Sequence, residues 1–126
     1  MYGLPRLLGE LCDIGVNAVE LAAPDGTKFA FMSPFVVEAG RFADRTIDLA
    51  VQATPDFPIT VASAIHVRAK PQLYVIGDNG NGARNITNSI LGPEWAYWSN
   101  NFGWGGGERS ARRLLSQING IFLRAA

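Results

Sequence analysis

Between Arg45 and Gln52 apolar and polar positions alternate: Ile47, Leu49 and Val51 share one side, Thr46, Asp48 and Ala50 the other. A period of two puts successive side chains on opposite faces, so this segment reads as a strand with one buried side. Such a strand needs a sheet, and a layer to cover its apolar face.

Two amphipathic segments can supply that layer. Leu4, Leu7, Leu8, Leu11 and Ile14 recur at the three-and-four spacing of a helix. Pro5 suits its first turn, and Gly15 suits a C-terminal cap. Gly9 weakens it by up to about 1 kcal/mol relative to alanine, so packing has to hold it. At the other end, Glu108–Arg124 places Ala111, Leu114, Leu115, Ile118, Ile121 and Phe122 on one face. Arg109, Arg112, Arg113, Gln117 and Arg124 fall mostly elsewhere.

Further strands are expected at Val16–Ala22 and Lys28–Val37, joined by the turn Pro24-Asp25-Gly26-Thr27. Pro34 inside the second run marks an edge or a bulge. Ile59–Val67 and the shorter Leu73–Ile76 complete the candidates, after a rigid break at Thr54-Pro55-Asp56-Phe57-Pro58. From Gly77 to Gly107 the chain reads as a long irregular stretch holding Trp95, Tyr97, Trp98, Phe102 and Trp104. Each large ring buries some 150–250 Å², so these aromatics are expected chiefly to fill a core or pin the loop. With 126 residues and neither repeat nor linker, residues 1–126 are expected to form a single domain, of α+β class.

Composition narrows the function. Eleven basic side chains balance eleven acidic ones, which argues against a nucleic-acid binder working by bulk charge. The balance hides an asymmetry: residues 1–59 carry 4 basic and 8 acidic groups, net −4, and residues 60–126 carry 7 and 3, net +4. No apolar run reaches the roughly 18–20 residues of a membrane span. Neither a membrane partner nor a nucleic acid is therefore expected. One cysteine, Cys12, and one histidine, His66, exclude an internal disulfide and a closed zinc site. A reducing, cytoplasmic setting fits, and no metal or cofactor is expected. Cys12 is read as a buried structural thiol on the apolar side of the first helix.

Local motifs for catalysis are sparse. Ser63 and His66 are three apart on a strand and point to opposite faces, so they do not pair. The triple glycine Gly105-Gly106-Gly107 ahead of a helix matches neither the phosphate-loop nor the dinucleotide pattern. It reads as a close turn docking that helix.

The order of features nevertheless resembles a known family. A helix, a meander of strands, the proline-bounded Asp56-Phe57-Pro58, a strand ending in His66, an irregular stretch, tryptophans and an amphipathic helix follow one another. This resembles the ubiquitin-conjugating enzyme superfamily, and most of all its divergent prokaryotic members. In those, a strand-end histidine region leads to an aromatic Trp…Trp-Ser segment, here Leu91-Gly92-Pro93-Glu94-Trp95-Ala96-Tyr97-Trp98-Ser99-Asn100-Asn101-Phe102-Gly103-Trp104. The resemblance implies an N-terminal helix, an antiparallel four-stranded meander, an irregular aromatic segment and a C-terminal helix. It also implies a bacterial conjugation pathway, with a ubiquitin-like protein and an activating-enzyme-like protein as partners.

Family enzymes carry the ubiquitin-like tail as a thioester on a cysteine that follows a histidine-proline-asparagine motif. A thiolate suits that step because it is a good nucleophile near neutral pH. Here the motif stands as His66-Val67-Arg68, and no cysteine follows His66. The resemblance therefore implies a non-catalytic, partner-binding member, or one whose nucleophile is replaced. His66, Ser89 and Ser99 are the catalytic candidates, and Arg68, Trp95, Trp98, Asn100 and Trp104 the binding candidates. The first helix of family enzymes is commonly basic and helps dock the activating enzyme. In this chain it sets Arg6 against Glu10 and Asp13. The competing expectation is a stand-alone protein-interaction domain with no link to ubiquitin-like transfer.

Overall fold

The computed structural model describes residues 2–73, 84–99, 102, 104 and 108–124. Helix α1 (Leu4–Asp13) is followed by strands β1 (Val19–Ala22), β2 (Lys28–Val36), β3 (Thr46–Gln52), β4 (Ala64–Arg68), β5 (Arg84–Ser89) and β6 (Gly92–Ser99), then helix α2 (Ala111–Arg124). The strands form one antiparallel sheet in the order β1-β2-β3-β4-β6-β5. The α+β class stands. The sheet has six strands where the resemblance implied a four-stranded meander, and the stretch read as irregular contains β5 and β6.

Other boundaries move as well. The first strand begins at Val19 rather than Val16, and α2 begins at Ala111 rather than Glu108. Of the run Ile59–Val67, only the part from Ala64 is strand. Leu73 lies in a bend, residues 74–76 fall outside the described set, and so do Gly105-Gly106-Gly107. Pro34 marks a bulge and not an edge: β2 runs between β1 and β3, and its register against β3 shifts between Met32 and Phe35.

Both helices cover the same face of the sheet. Ile47, Leu49 and Val51 of β3, Ile65 and Val67 of β4, and Ile86, Ala96 and Trp98 of β5 and β6 pack with Leu7 and Leu11 of α1 and Leu114, Ile118, Ile121 and Phe122 of α2. Trp98 is 1 % exposed, with its ring centroid 5.5 Å from that of Phe122. The alternation in β3 thus sets which side of the sheet carries the core, the expected consequence of a two-residue period.

Local signals fix the helix ends. The Gly15 N–H donates to the Cys12 carbonyl, and the Val16 N–H to the Leu11 carbonyl. Together with Gly15 at φ +81°, these bonds form a Schellman cap. At the start of α1 the Gly3 N–H donates to the Phe57 carbonyl, so the proline-bounded segment seats the helix. Trp104 reinforces the same place, its Nε1 donating to the Pro58 carbonyl at 2.7 Å. The N-terminus of α2 is satisfied twice: Ser110 Oγ accepts the Arg113 N–H at 3.3 Å, and Glu10 Oε1 of α1 accepts the Ala111 N–H at 2.7 Å. No described helix is long and apolar enough to cross a membrane.

Candidate functional site

The other face of the sheet carries no described helix. Register sets what stands on it: Phe29 and Phe31 of β2, Asp48, Ala50 and Gln52 of β3, His66 and Arg68 of β4, and Trp95 and Tyr97 of β6. Four of the nine are aromatic. Phe29, Ala50, Trp95 and Ala23 form a second apolar cluster there, with Leu21, Phe31 and Leu91 packed on it. Val19, opposite Phe31 on the edge strand β1, adds apolar surface that is 54 % exposed.

Two groups of side chains organise this face. The first centres on Arg68. Its guanidinium carbon lies 4.7 Å from the Trp95 ring centroid and 5.9 Å from that of Phe31. Its Nε donates to Asp48 Oδ2 at 2.7 Å, and its Nη1 lies 3.8 Å from Glu94 Oε2. Asp48 in turn accepts a hydrogen bond from the Ser33 hydroxyl. The aromatic rings supply cation–π attraction, and the Asp48 carboxylate holds the guanidinium beside them. Beside it opens a cleft of about 520 Å³ lined by Ser33, Asp48, Arg68, Lys70 and Glu94, among others.

The second group centres on His66, which is 4 % exposed. Its ring meets the Phe29 and Tyr97 rings edge to face, with centroids 4.9 Å and 5.2 Å away. Its Nδ1 lies 2.7 Å from Ser89 Oγ, and the Leu91 N–H donates to that same oxygen at 3.0 Å. Burial pushes the imidazole down from 6.5 to about 4, since the charged form loses its hydration. His66 is therefore neutral at pH 7. It also lines a cleft of about 320 Å³ with Gln52, Thr87, Asn88, Ile90 and Tyr97.

The candidate residues divide accordingly. His66 and Ser89 are brought into contact, and Arg68 and Trp95 stack on each other. Ser99 pairs with Ala64, two positions along β6 from the His66–Tyr97 pair. Such a diagonal leaves roughly 7–8 Å between residues. Trp98 faces the helices, and Trp104 packs near Phe57 on that same side. Asn100 lies outside the described residues. Cys12 corrects an expectation: it is exposed on α1, not buried. The apolar stripe of α1 turns Leu7 and Leu11 inward, and Cys12 follows Leu11 by one residue, about 100° around the helix.

Phe31, Asp48, Phe29 and Tyr97 were not singled out from the sequence. The signal existed for Asp48, a carboxylate in mid-strand on the side opposite Ile47 and Leu49. Phe29 and Phe31 alternate in the same manner with Ala30 and Met32. Among the described residues, no cluster of three or more His, Cys, Asp or Glu side chains is placed to hold a metal ion. Comparison with protein-family models, curated proteins and solved structures returns no match.

Proposed function

We propose that this chain is a ubiquitin-conjugating-enzyme-like protein of a bacterial conjugation pathway, one that binds a ubiquitin-like protein rather than carrying it as a thioester. The observation that carries this reading is the placement of its one cysteine. Cys12 sits on α1, which packs against the Leu49 side of the sheet, while His66 stands on the opposite side. The sheet lies between thiol and imidazole, so the two cannot share a reacting atom.

The order of elements supports the family part of the proposal: a helix first, an antiparallel sheet, and a last helix on the same face as the first. The helix-free face supports the binding part. Tryptophan, tyrosine and arginine are the residue types on which protein interfaces concentrate their energy. Val19 and Phe31 give this face an apolar rim next to the Arg68–Trp95 stack. The activating-enzyme-like protein remains the second partner of the pathway in this reading. A cytoplasmic location follows from the same proposal.

Incubation with an activating-enzyme-like protein, ATP and a ubiquitin-like protein from the same genome tests it. The ubiquitin-like protein should be retained by the chain without any covalent adduct that a thiol reductant cleaves. A reducible adduct, lost in Cys12→Ser, would overturn the proposal. So would failure to retain any ubiquitin-like protein.

A further inference from the structure

Docking on the sheet face makes no use of the Ser89–His66 contact, the most chemically specific arrangement in the described molecule. We propose that Ser89 is an acyl-accepting hydroxyl, with His66 as its base and a small activated ester in the neighbouring cleft as its substrate. The inference stands apart from the docking proposal, since Ser89 takes no part in the Arg68–Trp95 group.

The hydrogen-bond pattern permits these roles. The Leu91 N–H is only a donor, so Ser89 Oγ accepts it with one lone pair and still has its own hydrogen to give. The atom 2.7 Å away is His66 Nδ1, which receives that hydrogen in the neutral tautomer that carries the ring proton on Nε2. Phe29 and Tyr97 clamp the ring edge to face, so the acceptor nitrogen is held in place before any substrate arrives. The clamp matters because rate gains from acid–base groups depend on geometry first.

Ser89 itself is half-buried, between Asn88 and Ile90, which line the cleft of about 320 Å³ together with His66. That volume suits a short acyl group. The amide, hydroxyl and phenol side chains of Gln52, Thr87, Asn88 and Tyr97 around it offer hydrogen bonds to a polar ester group. In the step, Ser89 Oγ attacks the acyl carbon as its proton passes to His66 Nδ1. The bond to the leaving oxygen then breaks, and that oxygen recovers the proton from the imidazole. The products are an acyl-serine and an alcohol or phenol, with no redox change.

p-Nitrophenyl acetate serves as the probe, with nitrophenolate release followed by absorbance and the acetylated residue located by mass spectrometry. The wild-type chain should release nitrophenolate with acetyl appearing on Ser89, in the peptide that follows Arg84. Ser89→Ala should abolish that acetylation. His66→Gln should slow it by about tenfold, less than the hundredfold or more of a base poised near neutral pH, because burial weakens the imidazole as a base. Circular dichroism verifies that both variants fold. If a variant does not fold, the wild-type measurement decides alone: nitrophenolate release without acetyl on Ser89, or no release at all, overturns the proposal.

Discussion

His66 shows how one buried side chain links the site to the stability of the fold. Its folded-state value of about 4 lies below the ordinary 6.5, so between these limits the unfolded chain binds more protons. Stability contributed by the neutral imidazole is complete above pH 6.5 and is lost as pH falls toward 4. The linkage relation puts the loss at about 3 kcal/mol by pH 4. Denaturant unfolding of wild type and His66→Gln across that range measures it. The wild-type curve should fall more steeply with acid, by about that amount, and parallel curves would contradict the assignment. From the sequence, His66 was legible as a strand residue, singled out by a resemblance to the ubiquitin-conjugating superfamily. Its contact with Ser89 was not legible, because the partner is 23 residues away and β6 lies between their strands. Ser89 reaches it where β5 leaves its register at Asn88 and Ser89.

Among the elements, α1, β3 and α2 were readable because each carries its bulky apolar side chains on one face, which imprints a period. β2 buries Phe29 on one face and Ala30 and Met32 on the other, and was readable from the turn ahead of it. β6 hides its period for a physical reason. Trp95 and Tyr97 stand on the open face and Ala96 and Trp98 on the helix face, and apolar groups on both sides erase the alternation. β5 carries one core residue, Ile86, amid Arg, Asn, Thr and Ser, so its composition resembles a loop. The helix junction is a tertiary device of the same kind. Glu10 lies in α1, and only folding brings its carboxylate to the first N–H groups of α2, where the helix dipole favours negative charge. Glu10→Ala should cost about 1 kcal/mol, as loss of a capping side chain does. Glu10→Gln, which keeps an acceptor oxygen, should cost less. Thermal unfolding of the two variants checks both the direction and the order.

For the whole molecule, the net charge of zero resolves into a spatial pattern. The acidic first half supplies α1 and β1–β3, and the basic second half supplies β4–β6 and α2. Because the sheet order is β1-β2-β3-β4-β6-β5, the two sets of strands lie side by side rather than interleaved. The strands themselves differ little, Glu20, Lys28 and Asp48 against Arg68, Arg84 and Glu94, so most of the asymmetry falls outside the sheet. A separation of charge along a molecule helps orient an approaching partner. Arg68 and Asp48 sit at the seam between β3 and β4, directly paired in register. The binding proposed above is therefore spatial, with the ubiquitin-like protein on the helix-free face around Phe31, Arg68 and Trp95. The most direct measurement is a titration of isotope-labelled protein with ubiquitin-like proteins from the same genome, followed by amide chemical shifts. Saturable shifts should gather on β1, β2, β4 and β6, at Val19, Phe31, Arg68 and Trp95, and should vanish in Phe31→Lys. Shifts gathered on α1 and α2 instead, or none with any ubiquitin-like protein, would contradict the claim.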